Sequence, residues 1–348
     1  MIPIHRANAA VLIALFAFVA CEGTEAAPPA AFRLERPGDL AERVHREVSW
    51  EPVFRIGGLV DDTLLAQPMR PAADASGAYL LDGYMKRVLR FDSSGAFLWS
   101  YGREGGGPGE FRQPRDLKVD AEGRAWVLDA PNGRITVLRP DGTQAFEVSL
   151  RRAEWTPDRL VPQPDGGVLL VSGSPLVRII RMNRDGVVLS AASLPIDRAD
   201  ELHGLAAQVV PRGDPVTGRW SAAFMVADGL FSFDGLRPRH PHAWFVEEIP
   251  WPSLRSQRSG NTTTTRMERP VFAASSIAVD GDRVLVHFHG RSELRSRLID
   301  IYSAEDGRYI ESVTLPRVVE EIDFRDGVLY GVYSEPFPGF EAWRTDLR

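Results

Sequence analysis

His287 and His289 stand two residues apart in the segment VHFHG. On a β-strand that spacing puts both imidazoles on one face, which is how a histidine pair can begin a zinc site. A third ligand would have to come from another part of the chain, and two histidines held by structural hydrogen bonds would leave the same trace. A second pair, His240 and His242 in RHPHAW, reads as an exposed hairpin tip. The densest glycine run is GGGPGEFRQP, residues 105–114. A phosphate-cradling loop would close on Gly-Lys-Ser/Thr, or carry G-x-G-x-x-G ahead of a helix. Here Pro108 follows Gly107, Glu110 stands where a third glycine is needed, and the following DLKVDAEGRAWVLD alternates as strands do. The run is a connector. There is also no G-x-S-x-G elbow, no H-E-x-x-H and no EF-hand loop. The single cysteine, Cys21, leaves no internal disulfide to hold the fold.

What positions these residues is a repeat. QPMRPAADASGAYLLD (67–82) aligns with QPRDLKVDAEGRAWVLD (113–129), and RVLRFDSSGAFLWSYG aligns with RITVLRPDGTQAFEVSL. Gln67-Pro68 and Gln113-Pro114 lie 46 apart, Gly95 and Gly142 47 apart, and Gly186 follows Gly142 by 44. Each unit holds four short alternating segments. Asp141-Gly142, Asp185-Gly186 and Asp306-Gly307 fall between the third and fourth, where tight hairpins need positive φ. Four antiparallel strands in about 45 residues make one propeller blade.

Residues 100–150 resemble the NHL repeat, with its glycine-rich connector, GPGEF, PxxLxVD and NxRIxV elements. The match is closest for this unit and good for the one before it. The resemblance implies an all-β, six-bladed β-propeller over 52–348. Blades are expected to begin near Gln67, Phe111, Arg159, Leu202, Phe272 and Val319. The last has three strands before the chain ends, so PVFRIGG (52–58) is expected to supply the fourth and close the ring. The polar stretch 251–270 reads as a long mobile loop inserted on the connector face, and 37–48 as a short lead-in helix capped by Asp39.

In such a propeller the first residues of each inner strand ring the channel mouth. Aligning the units gives Arg70, Arg115, Asp116, Arg159 and Glu320 as the expected ligand-binding set, with Ser276 in a later counterpart position. Three arginines there can hold a carboxylate, sulfate or acidic sugar through bidentate hydrogen bonds. They can equally pair with Asp116, Glu110 and Glu320 as a solvated network. Asp82 and Asp129, with Ser172 and His287 in matching places, end second strands and are expected to accept backbone amides at the adjoining turn.

The chain opens with Arg6, an apolar run Ala9–Ala20 and then Cys21. FVAC resembles the lipobox of bacterial lipoproteins, with Phe18 where that pattern usually has leucine. The resemblance implies a signal peptide over 1–20, a lipid on Cys21, and a lead-in over 21–51. An ordinary signal peptide cut near Ala20 or Ala27 is the other reading, and both imply export to the bacterial envelope. Glu22 after Cys21 favours outer-membrane sorting. A net charge of −6 and export argue against a nucleic-acid partner. The expected function is a membrane-tethered binding protein whose connector face engages a protein, peptide or saccharide, with no catalysis assigned and no cofactor. The alternative resembles six-bladed lactonases: a hydrolase or lyase holding calcium or zinc at the channel mouth, with Asp116, Glu320 and His287 as contributors.

Overall fold

The computed structural model describes Arg36 and residues 42–57, 64–151, 153, 156–172, 178–195, 205–259 and 262–347. The signal peptide, Cys21 and the first part of the lead-in lie outside the described residues. No helix among the described residues is long and apolar enough to cross a membrane.

The first strand, β1 (Trp50–Gly57), waits for a partner from the far end of the chain. Blade one follows as β2 (Pro68–Asp74), β3 (Gly77–Asp82), β4 (Arg87–Asp92) and β5 (Phe97–Tyr101). Blade two is β6 (Asp116–Val119), β7 (Ala125–Asp129), β8 (Arg134–Leu138) and β9 (Gln144–Ser149). Blade three is β10 (Arg159–Pro162), β11 (Val168–Ser172), β12 (Arg178–Met182) and β13 (Val188–Ser193). Blade four is β14 (Val209–Gly213), β15 (Arg219–Phe224), β16 (Leu230–Asp234) and the short β17 (Arg237–Pro238). A separate hairpin, β18 (Ser253–Ser259) and β19 (Thr262–Glu268), precedes blade five. Blade five is β20 (Ala274–Asp280), β21 (Arg283–Phe288), β22 (Leu298–Ser303) and β23 (Tyr309–Thr314). Blade six is β24 (Glu321–Arg325), β25 (Val328–Tyr333) and β26 (Gly339–Thr345), completed by β1.

Each blade is a four-stranded antiparallel sheet, and β1 pairs with β26 from Trp50↔Thr345 to Gly57↔Gly339. The ring therefore closes as the sequence leads one to expect. The six inner strands β2, β6, β10, β14, β20 and β24 neighbour one another around the axis.

The core consists of six apolar wedges, one between each pair of adjacent blades. The wedge between blades one and two shows how the repeat builds it. Tyr79, Leu81 and Val88 face Phe111, Leu117 and Val127, all buried. Phe111 is the phenylalanine of the glycine-rich connector, and its ring lies 6.0 Å from that of Tyr101. A Cβ on Gly102 would come within 2.5 Å of that ring, and Gly102 sits at φ +105, so glycine is required there.

Two expectations are corrected. Residues 42–49 are not helical: His45 forms a parallel bridge to Ser312, with Arg46 N donating to the Ser312 carbonyl and Ser312 N to that of Val44. The open edge of β23 offers backbone partners that an isolated one-turn helix would lack, and Arg43 is fixed by Asp300 and Glu247. The 251–270 insertion is a β-hairpin, because its Ser/Thr/Arg alternation suits a strand pair solvated on both faces.

Candidate functional site

The second strand of each blade ends at the connector face, where Asp82 and Asp129 are fully buried. Asp82 accepts the amides of Ala66 and Gln67, and Asp129 those of Arg112 and Gln113. These carboxylates fasten the incoming connector to its own blade. Among the described residues the expected bond toward the third strand appears as Met85 N to Asp82, at 3.2 Å. The connector 105–114 satisfies itself: Glu110 accepts the Gly107 amide, and Asn132 and Arg134 donate to its carbonyls. It presents no cradle of free amides.

Blade five replaces the aspartate with His287, whose Nδ1 lies 2.6 Å from Ser275 Oγ. His289 Nδ1 lies 3.0 Å from Ser296 Oγ, and the two rings meet edge to face with centroids 5.2 Å apart. Burial, with His289 nearby, pushes His287 down to about 3. Burial, with Arg295 nearby, pushes His289 down to about 4. No group of three or more His, Cys, Asp or Glu side chains suited to a metal occurs among the described residues. His240 and His242 are not an exposed tip. His240 is buried, and His242 stacks on Trp244 at 4.5 Å while its Nε2 lies 2.7 Å from the Asp228 carbonyl. The tip folds back because the bridge Leu230↔Ala243 carries this segment onto blade four.

The inner strands bring Arg70, Asp116 and Arg159 together around one narrow central cavity of about 30 Å³, with Lys118, Arg212, Ser276 and Glu321. Asp116 Oδ1 lies 2.7 Å from Lys118 Nζ, and its Oδ2 accepts the Leu160 amide of the next blade at 2.9 Å. Glu321 binds Arg70 through both the guanidinium and the amide. Asp323 accepts the Ala73 amide and pairs with Arg212. Ser276 Oγ accepts the Ile322 amide. Inner-strand side chains thus stitch blade two to three (Asp116), five to six (Ser276) and six to one (Glu321 and Asp323).

Arg70 reaches the cavity from a β-bulge between Met69 and Ala72, at φ +51. Burial opposes its charge, but Glu321 and Asp116 outweigh that and raise its pKa. Burial opposes the Asp116 charge too, yet Lys118, Arg159 and Arg70 hold its pKa below the ordinary value. Burial lowers Lys118, against the pull of Asp116.

Arg115 pairs with Asp158 at 3.2 Å beside the mouth. Glu320 is the counterpart of Arg115, just ahead of its inner strand and one step short of the channel, while Arg159 takes the place of Asp116. Side chains alternate along a strand, so Glu321 takes the channel position, while Glu320 bonds to Ser334. Glu110 likewise pairs with Arg103 away from the channel. Sequence reasoning missed Lys118 and Arg212. Lys118 had a signal, since a strand that turns Asp116 inward turns residue 118 inward too. The lactonase-like reading does not fit these donors. Both Asp116 oxygens are engaged, Glu321 is bound to Arg70, and His287 faces Ser275 rather than the channel.

Residues 61–144 match a family model, DUF5128, described as a 6-bladed beta-propeller. Human (Homo sapiens) NHL repeat-containing protein 3 is 31% identical over 110 residues, which is 30% of this chain and 32% of that protein. The Mus musculus protein of the same name is 27% identical over 175 residues, 48% of each. The chain spans about a third to a half of the length of the curated relatives it matches. Among solved structures, a protein from Bacteroides fragilis NCTC 9343 has a TM-score of 0.54 at 10% identity, covering 87% of this chain and 95% of that one. A member of the duf4221 family from Bacteroides vulgatus has a TM-score of 0.50 at 10% identity, covering 86% and 99%. Identity this low speaks for fold alone. With the repeats, the blade topology and these likenesses together, the chain is a six-bladed β-propeller whose repeats are similar to those of NHL repeat-containing proteins.

Proposed function

We propose that this chain is an exported, lipid-anchored propeller that binds a protein or peptide partner on its connector face. The observation that carries this is where the large exposed apolar side chains stand. Leu64, Phe272 and Val318 lie in connectors, and Tyr84, Met85 and Phe337 in turns between second and third strands. Both kinds of segment belong to one face, and Leu64 and Tyr84 are 72% and 71% exposed. The other large exposed apolar residues sit on the lead-in, on outer strands or, as Val216, at the opposite end. Scattered apolar residues need no explanation, but a set on one face marks an interaction surface.

A groove of about 670 Å³ at the base of the β18–β19 hairpin adds to this face. Trp251, Met267 and Val271 supply its apolar lining, and Arg266, Glu268 and Arg269 its charges. This mixture of an apolar floor and a few charges suits a peptide segment better than a sugar. The export and anchoring part of the proposal rests on the lipobox resemblance at Cys21.

Photo-crosslinking residues at positions 84 and 337, with position 216 as opposite-face control, test the reading in the producing cells. A discrete adduct at 84 and 337 and none at 216 is expected. No adduct, or equal adducts at all three, would overturn it.

A further inference from the structure

Residues 244–252 lie between the bridge at Ala243 and the start of β18 and belong to no strand. Phe245 and Ile249 are buried in the wedge between blades four and five, but the backbone around them has no ladder to join. Side chains satisfy it instead. Asp228, in the turn between β15 and β16, accepts the amides of Phe245 at 2.9 Å and Ile249 at 3.3 Å. Tyr302 accepts that of Val246 at 3.0 Å. Arg36 Nη2 donates to the Phe245 and Val246 carbonyls at 2.8 and 3.3 Å, and its Nη1 pairs with the Asp228 carboxylate. Farther along the lead-in, Arg43 donates to Asp300 through Nε and Nη2 at 3.2 and 2.8 Å, and to Glu247 through Nη1 at 3.0 Å. Two arginines of the lead-in therefore hold this connector from outside. Its end, Pro250, Trp251 and Pro252, lines the groove at the base of the β18–β19 hairpin.

We propose that Arg36 and Arg43 are positioning residues for the groove: the lead-in, docked through them, fixes the 250–252 wall, so that lead-in docking and groove binding rise and fall together. The energetics follow from burial. The Asp228 side chain is 2% exposed and that of Asp300 not at all, so a lead-in that leaves strips two buried carboxylates of their cation. Burial already raises Asp228 to about 6 against the pull of Arg36. Without Arg36 it rises further, and a protonated Asp228 is a poorer acceptor for the Phe245 and Ile249 amides. The Phe245 and Val246 carbonyls lose their donor in the same event. The connector then keeps its apolar anchors and loses the bonds that fix its backbone. Linkage makes the effect reciprocal: the factor that a docked lead-in adds to groove affinity is the factor that a groove ligand adds to docking. Under the lipid-anchor reading, this couples the tether to the groove.

What the groove binds rests on the partner-binding proposal; the coupling does not, and its test uses no partner. Native-state hydrogen exchange of the full-length protein reads it. In the wild type, the Arg46 amide on the Ser312 carbonyl and the Phe245 and Ile249 amides on Asp228 are expected to open as one unit, with one free energy and one denaturant dependence. In the Arg36→Gln, Arg43→Gln double variant these amides are expected to exchange at least about tenfold faster. The Arg112 and Gln113 amides, bonded to Asp129 in blade two, should keep their wild-type rates. Fluorotryptophan at position 251 reads the wall itself: its fluorine resonance should move in the double variant, while that of Trp126, between blades two and three, stays. If the double variant fails to fold, the wild-type exchange still decides. Separate openings in the wild type, unchanged exchange at 245 and 249 or an unmoved resonance at 251 when the lead-in is released, or a rise spread evenly over all blades would each overturn the proposal. Crosslinks at 84 and 337 enter none of these outcomes, so the partner-binding reading stands or falls separately.

Discussion

Glu321, the first residue of the last inner strand, holds Arg70 of the first blade at two points. Its Oε2 accepts the Arg70 amide at 2.8 Å, and its Oε1 pairs with the guanidinium. The two residues are 251 apart in sequence, so this contact exists only when the ring is shut. It lies at the seam between the inner strands β24 and β2, across blade six from β1, where Asp323 also takes the Ala73 amide. Arg70 is held there at positive φ, a conformation that costs a non-glycine residue energy unless its surroundings impose it.

Removing the carboxylate should therefore loosen the seam. Glu321→Gln leaves the Arg70 charge buried with only Asp116, at 3.7 Å, as a counterion. A loss of about 3–5 kcal/mol is expected in denaturant unfolding. Adding Arg70→Met should recover part of it. A loss under about 1 kcal/mol would place the pair with ordinary surface ion pairs.

Acid should weaken the fold through the histidines. Burial, acting first in each, pushes His287 to about 3 and His242 and His289 to about 4, from 6.5. A base with a depressed folded pKa adds stability that is complete above the unfolded value and lost as pH falls. The window runs from about 6.5 down toward 4, at up to ~1.4 kcal/mol per pH unit for each group. Asp228 opposes this in part: burial raises it to about 6, so its contribution grows as pH falls from 6 toward 3.8. Burial also lowers His240, which adds to the loss, and raises Asp300 and Glu320, which add to the opposition; the large shifts of three histidines leave a net loss. Melting temperature against pH should be flat above 7 and fall below 6.5, less steeply in the His287→Gln, His289→Gln double variant. An unchanged slope would assign the loss to other groups.

The hairpin glycines can be separated into two roles by a pair of substitutions. Gly95 has φ +87, and a Cβ there would stand 2.6 Å from the Phe54 ring on the closing strand β1. Gly133 has φ +65 with nothing within 4 Å. Gly133→Ala should cost about 1 kcal/mol, the backbone share alone. Gly95→Ala should cost about 1–3 kcal/mol more, because Phe54 packs on Tyr330 and Phe340 and cannot yield freely. Equal denaturation midpoints for the two variants would show that the contact with Phe54 carries no weight.

The blades were legible because they repeat a local rule: alternation for the strands and, in the five whose third and fourth strands are consecutive, a glycine of positive φ between those two. Ring closure followed from counting, since three strands at one end demand a fourth from the other. What escaped the sequence depends on neighbours far along the chain. Glu320 and Glu321 differ by one step of alternation, and glycine offsets that vary by three residues cannot resolve one step. The lead-in was misread because the open edge of β23 lies more than 260 residues from His45. His242 was misread because only the folded chain lays Trp244 and Phe231 against it.

The β18–β19 hairpin separates a structural role from a binding role. Leu254 and Met267 face each other half-buried at its base, while most residues toward the tip are exposed. Arg255 lies directly opposite Arg266, and like charges in that position weaken pairing. A two-stranded ribbon on its own is marginally stable in water, so this one contributes little to the propeller. Replacing residues 253–268 with a short Gly-Ser linker keeps Trp251, which packs on Phe224 at 5.4 Å. The melting temperature should then stay within about 2 °C of the parent. Under the partner-binding reading, the crosslinks from positions 84 and 337 should weaken or vanish in the same variant. A large drop in melting temperature would make the ribbon part of the fold. An unchanged melt with full crosslinks would confine the partner to the apolar arc around Tyr84 and Phe337, and the ribbon would lose its assigned role.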